Sequence, residues 1–293
     1  MQPVRYHHVD VFTDRPYSGN SLAVFPDSRG LTGTQMDRIT KELRHFESIF
    51  LDSASGDRTH RAARVFDLVE ELDFAGHPVI GAACVLHALA GTGGTERWTI
   101  QLKARTVTVE TERRTAALYA AVLAQGAAEF LGTPDPATRE EIAAWFSLSA
   151  SDLDSTLAPE VISTGLRYLV PPVRSRGLAA AHIAAADLET KLTSLGAQYA
   201  YLIDAESLEG RHWSNDGAVE DVATGSGAGC VTAYLRRHGR IQDGEIATLQ
   251  QGRFVGRPSK ITLRARGGGT DVCVEVGGTV SLVGEGRLDA LPE

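Results

Sequence analysis

Cysteine is scarce in this chain: 293 residues hold three, Cys84, Cys230 and Cys273, none close to another. An odd, scattered set excludes a disulfide framework and a structural zinc site, and it points to reduced thiols in a cytoplasmic setting. Positive charge is not in excess either. Lysine and arginine total 29 against 37 acidic residues, a net charge of −8. The basic footprint of a nucleic-acid binder is missing, so no nucleic-acid partner is expected. No apolar run approaches the ~20 residues of a membrane helix, and the opening MQPVRYHHVDVF lacks the apolar core of a secretory signal. A membrane protein is therefore not expected. Aromatics are sparse at 6%, whereas glycine is abundant at 30 residues, much of it between short β-type runs. That pattern suits a protein of many turns and hairpins. With 43% hydrophobic and 23% charged residues the composition is that of a globular protein, which excludes overall disorder. The length suits two domains of about 130–150 residues.

The elements follow from local pattern. Residues 6–12 read as a strand. Thr32 caps a helix, with Gln35 completing a capping box and Leu31 and Met36 forming the staple. Met36, Ile39 and Leu43 then share one face. Strands are expected at 48–51 and 64–69. Residues 78–89 read as a helix apolar nearly all round, hence buried. A hairpin at 98–102 and 106–111 and a strand near 116–123 follow. The run Gly132-Thr133-Pro134-Asp135-Pro136 is the clearest break, and a domain boundary is placed near residue 130. Beyond it come helical stretches at 138–146 and 149–153, a strand near 166–171, a helix at 188–195 and a strand at 199–204. A small-residue helix at 227–238, a hairpin at 261–266 and 272–276, and a last strand near 280–283 complete the chain.

The two halves share an order of residues. Arg64-Val65-Phe66 precedes Glu71, which stands five and six residues before Gly76-His77. Arg211-His212-Trp213 precedes Glu220, which stands five and six before Gly225-Ser226. Each Gly-x pair opens a small, apolar helix, and each arginine follows a helix and a short strand. This reads as a diverged duplication, and such a pair places one site in the cleft between its halves.

Chemistry can reside in few places. The stretch from Glu220 to Cys230 holds Gly225, Gly227 and Gly229 at a helix start, where exposed N–H groups suit a carboxylate or phosphate. Close helix packing would also select these small residues. The stretch is neither a P-loop, a dinucleotide fingerprint nor a nucleophile elbow. In Phe74-Ala75-Gly76-His77-Pro78, proline reads as the first helical residue and His77 as a poor N-cap. Helix-end partial charges there disfavour the imidazolium. Taken alone, His77 is better read as a histidine satisfied by backbone groups. Glu47 lies in an apolar strand-like run; taken alone, it faces solvent from an edge, and partial burial would instead suit acid–base work. Asn20 reads as a turn residue or a site amide. The other histidines show no metal-ligand spacing and read as surface or core residues, so no metal is expected.

Together these pieces resemble one family. Gly19-Asn20-x-x-Ala23-Val24-Phe25, Glu47-Ser48-x-Phe50, Glu71-Leu72-x-Phe74-Ala75-Gly76-His77-Pro78, Glu220-Asp221-x-Ala223-Thr224-Gly225-Ser226 and Gln251-Gly252-x-x-x-Gly256-Arg257-Pro258-Ser259 are similar to motifs of the PhzF-like phenazine-biosynthesis isomerases, in order, from about residue 6 to 285. The resemblance implies an α+β, diaminopimelate-epimerase-like fold. Its two pseudo-symmetric halves, residues 1–130 and 131–276, would each be a curled, mostly antiparallel sheet around a central helix. A C-terminal strand at about 277–293 would pack back on the first half. It also implies a homodimer and a cofactor-independent proton shift, with double-bond migration, on a small carboxylate-bearing unsaturated ring compound such as a dihydro-hydroxyanthranilate. By motif position Glu47 is the acid–base carboxylate, and His77, Asp221 and Ser226 are the other catalytic polar residues. Asn20, Gly76, Gly225 and Gly227 would bind substrate.

Departures from the pattern bear on specificity. Related epimerases use two opposed cysteines; Ala75 and Thr224 stand there, and Cys84 and Cys230 fall inside helices, where they pack rather than react. One carboxylate that takes and returns the same proton suits a suprafacial shift. The usual Asn-Pro is Asn20-Ser21, and Arg-x-Phe-x-Pro is Arg211-His212-Trp213-Ser214-Asn215, where the bulkier Trp213 would reshape the pocket. Two other readings stand beside the isomerase. One is a lyase or hydrolase using the same residues on another ring acid, an unsaturated proline derivative included; a change of product mass identifies it. The other is a non-catalytic binding protein, which loss of a polar site residue would favour.

Overall fold

The computed structural model describes residues 3–52 and 56–293. The chain divides into two compact units, residues 1–124 with 277–293, and residues 125–276. In the first unit, β1 (Val4–Val11) pairs antiparallel with β2 (Asn20–Phe25). β2 runs parallel to β3 (Glu47–Leu51), and β3 is antiparallel to β4 (His60–Asp67). The short β5 (Glu71–Leu72) folds back on β4. β4 then runs parallel to β6 (Thr95–Gln101), and β7 (Thr106–Arg113) and β8 (Leu118–Ala127) follow antiparallel. α1 (Gly33–Leu43) lies outside, with Met36 and Ile39 packed on Ala23, Phe25, Phe50 and Phe66. α2 (Gly76–Ala90) touches β1, β2, β3, β6 and β7, so the sheet curls around it. Val79, Ile80, Ala82, Ala83, Cys84 and Val85 are all fully buried on it, which explains a helix without a polar face.

The second unit repeats the plan. β9 (Glu129–Gly132), β10 (Glu160–Ser163), β11 (Arg167–Val170) and β12 (Tyr199–Ala200) form one sheet. β13 (Leu202–Asp204), β14 (Glu209–Arg211), β15 (Ile246–Gln251), β16 (Ser259–Gly268) and the start of β17 (Asp271–Leu288) form another ladder. The central α6 (Gly225–Arg237) packs on β16, β10 and β11. Outside it, α3 (Arg139–Trp145), α4 (Ser175–Ala180) and α5 (Leu188–Ser194) enclose a core with Trp145, Phe146, Leu178, Leu192 and Trp213. The last residues of β17, from Val280 to Leu288, pair with β1 of the first unit. Pairing is mostly antiparallel, and the chain has the expected α+β fold.

Local signals account for several elements. The Thr32 capping box is formed, with Gln35 N 3.2 Å from Thr32 Oγ1 and Thr32 N 3.0 Å from Gln35 Oε1. The duplicated arginines make the same bond. Arg64 donates through Nε and Nη2 to Glu71 at 2.7 and 2.6 Å, and Arg211 does so to Glu220 at 2.9 and 2.7 Å. Each guanidinium also lies over the aromatic ring two residues on, Phe66 and Trp213. A bidentate clamp therefore closes the hairpin ahead of each central helix.

Four expectations need correction. The strand expected at 64–69 is β4, which starts at His60 and ends at Asp67, whose Oδ1 accepts from the amides of Val69 and Glu70 and turns the chain. The strand expected at 199–204 is two, because the chain changes sheets at Tyr201: β12 pairs with β11 and β13 with β14. The two last strands are one, since β17 continues through Gly277 and Gly278. Trp213 lies in the core cluster of the second unit beneath Arg211.

Cys84 and Cys230 are buried inside α2 and α6, and Cys273 is exposed. Burial pushes the Cys84 thiol well up and that of Cys230 up to about 12. Thiolate is the reactive form. A disulfide-exchange reagent at about pH 8 should therefore titrate one thiol per native chain and three once it is unfolded. Three reactive thiols in the native protein would contradict this packing.

Candidate active site

β3 lies inside the sheet, with β2 on one side and β4 on the other, so Glu47 has no solvent edge. The residue is only 9% exposed, and the solvent-facing reading is overturned. Side chains alternate along a strand. Phe50 joins the cluster under α1, so Glu47 points the opposite way, to the start of α2. There His77 Nδ1 stands 3.6 Å from Glu47 Oε2 and 3.5 Å from Asn20 Nδ2. Asn20 is the first residue of β2 and is 1% exposed, which places it beside His77 rather than in a turn. With the Asn20 amide donating to Nδ1, the neutral ring carries its proton on Nε2. The first unit thus gathers a carboxylate, an imidazole and an amide, all buried.

The expected cap at His77 is also corrected. α2 begins at Gly76 with Ala75 as N-cap, so His77 is the second helical residue and Pro78 the third. Ala75 offers no side-chain cap, and Gly76 and His77 present their backbone N–H groups at the helix start. Ser21, one residue from Asn20, faces the other side of β2 and bonds His8 Nε2 at 2.9 Å and His45 Nδ1 at 2.7 Å.

The second unit has the matching construction. Thr224 is the N-cap of α6 and makes no cap hydrogen bond; its hydroxyl donates to Asp221 Oδ2 at 2.5 Å and accepts from Gln251 Nε2 at 3.0 Å. The helix start at Gly225, Ser226 and Gly227 thus carries no side-chain cap. Ser226 Oγ bonds the Tyr168 hydroxyl at 2.8 Å. Burial holds the Tyr168 phenol well above its usual range, so it stays protonated. His212 is buried among Tyr168, Tyr199 and Tyr201, and its Nδ1 donates to Ala200 O at 2.8 Å. Tyr168 carries no signal in the sequence, and His212 is buried, one of the two settings expected of it. Tyr168 lies on β11, whose partner Tyr199 on β12 is distant in sequence, and His212 directly follows β14.

Burial pushes the His212 imidazole below its ordinary 6.5, against the opposing pull of Asp221. The sign follows directly. Above about pH 6.5 the ring is neutral folded and unfolded, and nothing is lost. As pH falls below that, the unfolded chain takes a proton that the folded chain refuses, and stability declines down to the folded midpoint. Urea unfolding from about pH 7.5 to 5 should show a contribution of up to about 1.4 kcal/mol per pH unit that His212→Gln lacks. Equal slopes in both proteins would contradict the buried neutral ring.

Among the described residues no group of three or more His, Cys, Asp or Glu is placed to hold a metal ion, and no helix is long and apolar enough to cross a membrane.

Residues 9–286 match the family described as phenazine biosynthesis-like protein, PhzC-PhzF. The chain is 33% identical over 297 aligned positions to trans-2,3-dihydro-3-hydroxyanthranilate isomerase of Pseudomonas aeruginosa, covering 97% of this chain and 98% of that one. A solved structure described as a predicted epimerase from the same species superimposes with a TM-score of 0.92 at 46% identity, covering 98% and 99% of the two chains. A hydroxyproline epimerase from Agrobacterium vitis shares the fold alone, with a TM-score of 0.63 at 13% identity and coverage of 98% and 92%.

Proposed function

The chain belongs to the PhzC-PhzF family and is an isomerase of that family, and from that premise we propose that it shifts a proton between two carbons of a small unsaturated ring acid resembling trans-2,3-dihydro-3-hydroxyanthranilate. Glu47 carries the proton. The observation that supports this most is the buried Glu47–His77–Asn20 group, with 3.6 Å between carboxylate and imidazole. A carboxylate held this way takes a proton from one carbon and returns it to another on the same face, and the double bonds move in compensation. Asn20 fixes the tautomer of the His77 ring, whose Nδ1 then accepts a hydrogen bond from Glu47 while the carboxyl holds the proton. In the second unit Asp221, Ser226 and the backbone N–H groups at Gly225 and Gly227 suit polar groups of a substrate, a carboxylate included, and in the first unit the N–H group at Gly76 suits the same.

A two-thiol epimerisation has no support here. Ala75 and Thr224 are the N-caps, and Cys84 and Cys230 are buried with thiols pushed away from ionisation. Incubation with trans-2,3-dihydro-3-hydroxyanthranilate, followed by mass spectrometry and proton NMR, tests the assignment. The expected product has unchanged mass and a displaced double bond. A gain or loss of water assigns a hydrolase or lyase instead. Unchanged starting material removes this substrate, and an unsaturated proline-type acid takes its place in the assay.

A further inference from the structure

Gln251 opens the sequence motif whose purpose the site does not explain, and it is 1% exposed at the end of β15. Its amide is fully engaged. Oε1 accepts from Thr224 N at 3.0 Å and from the Tyr201 hydroxyl at 2.8 Å. Nε2 donates to Asp221 O at 2.9 Å and to Thr224 Oγ1 at 3.0 Å. Two of these partners are backbone groups of fixed polarity, an N–H and a C=O, so the amide cannot turn over without opposing donor to donor. The Thr224 oxygen therefore always receives a proton from Gln251, and its own proton goes to Asp221 Oδ2, 2.5 Å away.

The surrounding chain is built to this contact. Gly252 has φ +83°, and a Cβ there would fall 2.5 Å from Val222 O. A Cβ at Gly227 would fall 2.6 Å from Tyr201 Cδ2. Burial keeps the Tyr201 phenol protonated, so it remains a donor to Gln251.

The geometry points to Gln251 as a positioning residue that sets the direction of the Thr224 hydroxyl, and through it holds the Asp221 carboxylate as an acceptor. This rests on the reading of Asp221 as a site residue, and it adds Gln251 and Thr224 to the reaction machinery.

Gln251→Glu provides the test. A protonated carboxyl can still donate to the Thr224 oxygen, whereas a carboxylate can only accept and draws the Thr224 proton away from Asp221. Burial and the nearby Asp221 charge raise the introduced carboxyl's titration into the assay range. On trans-2,3-dihydro-3-hydroxyanthranilate, Q251E should show kcat near wild type at the acidic end and at least about tenfold lower at the basic end, with KM within about twofold. T224V should be about tenfold low throughout, and T224V/Q251E should lose the pH step. Persistence of the step in the double variant would assign it to charge repulsion and overturn the proposal. Threonine-methyl NMR without substrate separates this from the functional reading. The Thr224 methyl resonance should titrate in Q251E and stay flat in wild type. A resonance flat in both overturns the link whatever the turnover. A titrating resonance in a protein inactive on this substrate leaves the link standing and defeats the substrate assignment.

Discussion

Glu47→Gln should lower kcat by about 10³-fold while leaving KM and the unfolding midpoint nearly unchanged. General acid–base catalysis by one positioned side chain contributes about 10²–10⁴. An amide of the same shape occupies the same space in β3 but neither takes nor returns a proton at neutral pH. Its neighbour His77, 3.6 Å away, still has a polar partner, so the fold has little to lose. Glu47→Asp separates the two roles. It keeps the acid and withdraws it by one methylene, so it should also lose turnover, since a displacement of about 1 Å costs up to about 10²-fold. Steady-state kinetics of both variants, with urea unfolding as control, make the comparison. Turnover of Glu47→Gln at the wild-type rate would remove Glu47 from the chemistry.

Arg211→Ala should cost about 3–5 kcal/mol of stability, whereas Arg64→Ala should cost about 1 kcal/mol or less. The two arginines make the same bidentate bond, but their settings differ. The Arg211 and Glu220 side chains are 8% and 10% exposed, against 42% and 25% for Arg64 and Glu71. Arg211 also donates through Nη1 to Leu178 O at 2.7 Å and Ala181 O at 3.0 Å, which ties it to α4, and lies 4.1 Å from the Phe254 ring centre. Truncation leaves Glu220 as an uncompensated buried charge beside Asp221 and strips the end of α4 of its donor. Arg64 and Glu71 remain wetter, and water takes over much of what is lost there. Urea unfolding of the two variants gives the contrast. Equal losses would show that the clamp's shape, rather than its burial, sets its strength.

The reach of the sequence follows the range of the interactions. The Thr32 cap, the Met36–Ile39–Leu43 face and the apolar 78–89 helix depend on neighbours within a few residues, and all are found. The spacing from Arg to Glu to Gly in both halves is also local, and it corresponds to a real bond in each. Glu47 was misread because its environment is set by β2 joining β3 in parallel across α1, a pairing that no short window contains. β15 went unread because Thr248, Gln250 and Gln251 weaken its apolar alternation, although Ala247, Leu249 and Gln251 do alternate inward. Gly277 and Gly278 read as a break, yet β17 passes through both because strand pairing continues. Within the site, Asn20, Glu47 and His77 were named from motifs, and the structure brings them together. Asp221 and Ser226 were named likewise and stand at the start of α6. Gln251 was visible only as a letter of a motif; its purpose lies in four hydrogen bonds, three of them to residues 221–224.

The central claim is that Glu47 carries a proton from one ring carbon to another. Proton NMR of trans-2,3-dihydro-3-hydroxyanthranilate with the enzyme in heavy water, beside Glu47→Gln, tests it most directly. Isomer is expected with the wild-type protein and none above a blank with the variant, and any deuterium at the receiving carbon measures how far the proton on Glu47 exchanges with solvent before its return. Isomer formed by both proteins at the same rate, with the same deuterium content, would contradict it.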